Sequence, residues 1–301
     1  MPQASGSRHS IGYVEEVTFG VTPATPAFKA LRHNSSTLSL NRSTFGSNEI
    51  RGDRQIADFR AGTRSGQGNV VAELSKGSHD DMLAAALCGT WTGNVLKAGV
   101  LRKSFTIERK FGDIGQYLRF YGAEVDTLQI SMTTGAVVGL TFGYWARGME
   151  SDDAIVTGAT YPAALTTSPM DAISGTITEG GSAIGVVSSV SLNLANGLAS
   201  RFVIGSAESL EPSIGRSTLT GTMEAYFEDA TLLNKFLADT PSSLSMVCSD
   251  GTDEYTILVP KLKYTGGDVP VSGEGPVSIS LPFQGLLDSV TGTNLQITRP
   301  A

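Results

Sequence analysis

The order of segments along this chain occurs twice, and that repetition limits the fold more than any other feature. An alternating strand, a polar glycine-containing loop, a second alternating strand and one short helix follow one another in each half. "TLSLNRS" at 37–43 is echoed by "SVSLNLA" at 189–195, which sets Leu38, Leu40 and Asn41 beside Val190, Leu192 and Asn193. The same offset brings Arg64 and Ser65 onto Arg216 and Ser217. From there "RSGQGNVVAELSKGSHDDMLAAAL" runs beside "RSTLTGTMEAYFEDATLLNKFL", so that Glu73 faces Glu224, Leu83 faces Leu233 and Leu87 faces Leu237. A shared order over so long a period points to duplication of one module.

Each helix has a start signal. Ser78 with Asp81 has capping-box spacing and Gly89 is placed to end the first helix, while Asp229 is a good N-cap for the second. Leu232, Leu233, Phe236 and Leu237 give the second helix an apolar face for a sheet, which helices of two or three turns need. "SFTIERKF", "QYLRFYGAEVDTLQISM" and "AVVGLTFGYWARG" follow the first helix. "SLSMVCS", "EYTILVPKLKYT" and "PVSISLPFQGLL" follow the second. Most alternate apolar with polar, the pattern of strands with one buried face. The expected fold is mainly β, with one short flanking helix per half and a Ser/Thr/Ala/Gly-rich linker over residues 149–186.

With 301 residues and 40% hydrophobic content, the chain can bury a large core; its charged fraction of 17% suits a surface partly covered by partners. The first residues lack the apolar region of a secretory signal, and no run reaches the roughly 18–20 apolar residues that span a bilayer, so no membrane partner is expected. Cys88 and Cys248 are read as buried free thiols. Residues 1–150 hold 16 Lys and Arg against 13 Asp and Glu, whereas residues 151–301 hold 6 against 16. The asymmetry reads either as chance variation in solvated surface or as two modules that attract each other, within or between chains.

Catalytic and cofactor constellations are missing. His9, His33 and His79 have no metal-ligand spacing and are expected to face solvent. "GTRSGQGN" at 62–69 leads into a strand rather than the helix that a phosphate-cradling loop requires, and is read as a mobile loop. "SDGTDE" at 249–254 lacks the calcium-loop spacing and is read as a hairpin turn. No G-x-S-x-G occurs. The chain is read as a non-enzyme with no cofactor, and its acidity argues against sequence-specific nucleic-acid recognition.

"EEVTFGVTPATP" at 15–26 cannot begin a helix, because Pro23 and Pro26 lack an N–H and push their predecessors toward extended geometry. With "FKALRHNSSTLSLNRSTFGSNEIRGDRQIADFRAGTRSGQGNVVAEL" and the helix "HDDMLAAALCGTW", it resembles the opening of the tail tube proteins (major tail proteins) of long-tailed, siphovirus-type bacteriophages. The likeness covers residues 12–92 by motif and the remainder by element order. It implies two tandem tail-tube-like β-sandwich or barrel domains, at 37–148 and 187–290, with an extended N-terminal arm over 1–36 and a C-terminal tail over 291–301. Val17, Phe19, Pro23, Pro26 and Phe28 would form an arm lying on another subunit, and Glu73 and Glu224 would face the lumen.

The partners so implied are further copies of the chain, as homotrimeric rings of pseudo-sixfold symmetry or alternatively homohexamers. A tape measure protein and phage DNA would lie in the channel, and tail terminator and distal tail proteins at its ends. The location implied is the virion tail, assembled in the cytoplasm of the host bacterium. A distal-tail, baseplate or terminator protein of the same fold is the alternative, followed by a β-sandwich carbohydrate-binding or adhesin module. That last class displays surface Trp and Tyr, whereas Trp91 and Trp145 adjoin apolar runs.

Overall fold

A computed structural model describes residues 3–271 and 273–300. The N-terminal half holds β1 (His9–Glu15), β2 (Lys29–Leu31), β3 (Ser35–Ser36), β4 (Ser39–Gly46), β5 (Phe59–Glu73), helix α1 (Asp80–Ala86), β6 (Val95–Lys97), β7 (Phe105–Phe111), β8 (Gln116–Thr133), β9 (Gly139–Ala146) and β10 (Gly148–Asp152). The C-terminal half holds β11 (Asp171–Glu179), β12 (Ser182–Ala183), β13 (Val187–Ala195), β14 (Ala199–Arg201), β15 (Leu210–Ser213), β16 (Thr218–Tyr226), helix α2 (Thr231–Leu237), β17 (Ser242–Ser249), β18 (Glu254–Tyr264), β19 (Ser278–Gly285) and β20 (Gln296–Thr298). The protein is mainly β, as its alternation predicts.

The two halves have the same pairing order. In the first it runs β4, β5, β9, β8, β7, β1; in the second β13, β16, β19, β18, β17, β11, every neighbour antiparallel. The halves meet edge to edge, because β8 pairs with β13 from Thr133 with Ser189 to Thr127 with Ala195. Strand β8 can serve two layers since it bends: its first part pairs with β7 and β10, its last part with β9 and β13. Gly122 takes a left-handed φ of 59° near that bend, and an irregularity follows at Val125/Thr127.

The sequence echo between 37–43 and 189–195 is not the structural equivalence. Asn69 pairs through Thr37, whereas Thr220, which occupies the place of Asn69 in the second half, pairs with Asn193. Strand 189–195 is thus matched by 33–39, displaced by an even number of residues. The faces are unchanged, since side chains alternate with period two.

Both helices end on a non-glycine residue in the left-handed region, Cys88 (φ 47°) and Asp239 (φ 51°). Gly89, expected to provide that turn, instead lets the backbone of Lys97 approach within contact distance of where a Cβ would stand. His79 rather than Ser78 precedes α1, with no side-chain cap; Ala230 precedes α2, and Asp229 accepts the Thr231 N–H at 2.7 Å.

Three further segments depart from expectation. "GTRSGQGN" is strand, not loop, within β5: Gly68 lies where a Cβ would fall 2.5 Å from the Thr37 carbonyl oxygen, so its glycines mark close backbone approach. Residues 149–186 contain β11, which pairs with β17, and Met170, whose backbone bonds to Leu74 and Val138. His79 is wholly buried, stacked on Phe142, with its Nε2–H donating to the Arg32 carbonyl at 3.1 Å; burial holds its pKa below the ordinary value. His9 and His33 share a ring-nitrogen hydrogen bond of 2.9 Å, and burial with the Arg109 charge lowers the His9 pKa to about 4. Cys88 and Cys248 are free and buried; burial raises the Cys88 pKa and pushes that of Cys248 up to about 12.

The leader is seated on its own chain over most of its length. β1 pairs with β7, and Ile11 and Tyr13 enter the core. Glu16 is buried, and its two oxygens accept from the Gly20 and Gly122 N–H groups and the Ser104 and Thr106 hydroxyls at 2.7–2.9 Å. Removing that carboxylate orphans all of those donors, at about 1–3 kcal/mol for each one that finds no substitute. Glu16→Ala is therefore expected to lower the unfolding free energy by about 2–4 kcal/mol, as read by denaturant titration.

Candidate functional site

Strand register builds a broad surface from both halves. Across β5, β9, β8, β13, β16 and β19, one row joins Glu73, Gly139, Ser131, Ser191, Thr222 and Pro282. Residues in one row point to the same face, and so do those two positions along each strand. This face therefore includes Gln67, Asn69, Thr141, Thr127, Gln129, Ser189, Asn193, Thr218, Thr220, Glu224 and Gln284. The opposite face carries Val70, Ala72, Phe142, Leu128, Ile130, Leu192, Met223 and Leu281, all buried in one core shared by the halves. Helix α1 packs on that inner side, its Met82 and Leu83 buried.

The outward face is polar yet almost uncharged. Across these six strands its charged members are Glu73 and Glu224, so both sequence-chosen carboxylates fall on one face two rows apart. Asn34 donates to Glu73 at 2.9 Å and Ser189 to Glu224 at 3.3 Å, which steadies both side chains. The dominant groups are Ser and Thr hydroxyls and Asn and Gln amides. Such a wall offers hydrogen bonds in every direction and fixed charge almost nowhere.

The five leader residues are not brought together on one surface. Pro26 and Phe28 are buried, held by backbone bonds to Thr160 and by stacking of Phe28 on Tyr161 at 5.4 Å between centroids. Phe19 sits over Gly122, and Pro23 is half-buried. Val17 is the outlier at 98% exposed.

Sequence reading missed the clamp that joins the halves. The connection from β13 to β16 crosses the junction and lies on the N-terminal half. Glu208 pairs with Arg64 and with Arg147, and accepts from the Tyr121 hydroxyl at 2.6 Å. Trp145 donates its indole N–H to Ser200 at 2.9 Å, Asn196 donates to the Ala86 and Val125 carbonyls, and Arg102 pairs with Glu211. Lys76 with Asp253 adds another contact of a basic first half with an acidic second half. The charge asymmetry was the signal for these pairs. Half-exposed ion pairs contribute at most about 1 kcal/mol each, so they set register more than they supply cohesion.

Among the described residues no group of three or more His, Cys, Asp or Glu could hold a metal ion, and no helix is long and apolar enough to cross a membrane. Because the polar face is solvent-exposed at Asn193, Asn193→Lys is expected to change the unfolding free energy by less than about 0.5 kcal/mol, measured by the same titration.

Comparison with known proteins separates two scales of likeness. No curated protein matches the chain. The family model for phage tail tube proteins matches residues 6–285, which take in both halves, the junction and the polar face, and the chain therefore belongs to the phage tail tube protein family.

Proposed function

We propose that three copies of this chain close into a ring of pseudo-sixfold symmetry, and that stacked rings form the conduit through which phage DNA passes into the host bacterium. The observation that carries this reading is the β8–β13 junction. Two halves with one pairing order already stand side by side in one sheet, leaving β4 at one edge and the end of β18 at the other. Repeating the same step between copies, with residues 37–148 and 187–290 as alternating domains, closes a ring after three chains. Such head-to-tail contacts form a ring when the rotation closes.

The polar face would line the channel. Phage DNA and a tape measure protein would occupy it, with terminator and distal tail proteins at its ends and assembly in the host cytoplasm. Glu73 and Glu224 give the wall a weak negative potential, and like charge keeps DNA off by a repulsion that salt screens within about 8–10 Å. Nothing in this role calls for catalysis. The inter-subunit part of the leader reduces to the turn around Val17 and Val21, which are exposed, because Pro26 and Phe28 are already used within the chain.

Ring mass tests the symmetry. Native mass spectrometry of single rings, or a cross-section by electron microscopy, is expected to give three chains around the channel; six chains would favour the homohexamer. A second test addresses the wall. Tubes of Asn193→Lys are expected to assemble and to retain added double-stranded DNA at low salt, releasing it as salt rises, while wild-type tubes retain none. Equal retention by both would exclude this face from the lumen.

A further inference from the structure

We infer that His9, His33 and Arg109 form a latch, opened by a single proton, that ties the start of β1 and the β2–β3 connection to β7. The inference is independent of the ring reading above. Its basis is the order of the hydrogen bonds. Arg109 donates its Nε–H to Nε2 of His9 at 3.2 Å, so that nitrogen is a bare acceptor. The His9 proton then sits on Nδ1, which faces Nε2 of His33 at 2.9 Å and donates to it. His33 in turn carries its proton on Nδ1, 3.1 Å from the Leu31 carbonyl oxygen that accepts it. Both rings are therefore neutral Nδ1–H tautomers, and every ring nitrogen has a partner.

The chain of bonds runs one way. Arginine keeps its protons, so the direction is set from the Arg109 end. A further proton can enter only at a lone pair already in use. On His9 it would set N–H against the Arg109 N–H, and on His33 against the Nδ1–H of His9. Either adds positive charge near a guanidinium. No ring lone pair remains for a metal ion.

What the latch holds decides what its opening does. The Nη1 of Arg109 also donates to the Leu38 carbonyl at 2.6 Å. His9 is the first residue of β1 and pairs with Phe111 of β7, their ring centroids 5.0 Å apart. His33 follows β2, which pairs with β1 from Ile11 with Leu31 to Tyr13 with Lys29. Opening therefore frees the start of β1 and the connection up to Leu38, while Ile11, Tyr13 and Leu31 remain core residues. The event is local.

Neighbouring charges do not compensate the added proton. Lys110 lies over the rings of Tyr117 and Tyr161, and Arg32 donates to Ser75 and to the Thr167 carbonyl. Glu73 of β5 is taken by Asn34, and Asp113 by the Ser5 N–H. Arg8, beside His9, is exposed and adds like charge. Among the described residues no carboxylate bonds to either ring. Burial and the Arg109 charge accordingly lower the His9 pKa from the ordinary 6.5 to about 4. The released ring takes its proton at the ordinary value, so the latch is complete above pH 6.5 and is lost as pH falls toward 4.

Two measurements test this. Long-range proton–nitrogen NMR spectra of histidine-labelled protein at pH 7.5, assigned with His9→Gln and His33→Gln, are expected to show Nδ1–H tautomers for His9 and His33. His79, which donates through Nε2, is expected to show the other tautomer. An Nε2–H tautomer or an imidazolium at His9 or His33 would overturn the latch. Hydrogen exchange read by mass spectrometry, corrected for the intrinsic effect of pH, follows the opening. Between pH 7 and pH 5, segments 9–15 and 29–38 are expected to lose about tenfold in protection, while β16 keeps its own. The double variant His9→Gln/His33→Gln has amides that can replace the ring contacts without titrating, and is expected to lose less than about twofold. His79 titrates in both proteins, so the difference isolates the latch. Equal loss in the two proteins, or none in the wild type, would also overturn it. Should the double variant not fold, the wild-type tautomers and exchange decide.

Discussion

Everything else in the molecule depends on one antiparallel pairing, β8 with β13. It turns two half-chains into one sheet with a common core on one side and a common polar face on the other. A sheet edge left open exposes a row of unpaired N–H and C=O groups and invites unwanted pairing. Joining the halves satisfies one edge of each within the chain and leaves β4 and the end of β18 unpaired by the other half. The clamp around Glu208 and the short strand β20, which pairs with both β18 and β6, hold that junction from either side.

Much of this was legible in the sequence because it is written in period two. Alternation in "VAEL", "SVSLNLA" and "TLTGTMEAY" states which residues are buried, and an error of four in aligning the repeat cost nothing because four is even. What could not be read was contact at a distance. Nothing local says that Glu16 gathers two backbone amides and two hydroxyls, or that His79 is enclosed beneath Arg32 and Phe142. Glycine misled for a related reason. Gly62, Gly66 and Gly68 look like a flexible loop from composition, yet they allow β5 to lie against its neighbours.

The polar face was legible only in part. Glu73 and Glu224 could be matched as equivalent, but a one-residue slip would have turned both inward, and only the pairing partners fix their direction. The leader shows the opposite limit. Its prolines correctly exclude a helix, but a non-helical segment can pair at home as well as abroad, and Pro26 and Phe28 do so against Thr160 and Tyr161.

The wall of Ser, Thr, Asn and Gln has a consequence beyond its charge. Hydroxyl and amide groups spaced about 4.8 Å apart from strand to strand match the reach of hydrogen-bonded water, so this face carries a continuous hydration layer. With few fixed ions to bind tightly, those waters exchange partners freely. A polymer moving along such a surface shears a film of water instead of breaking contacts with protein, and its drag is then set by solvent viscosity.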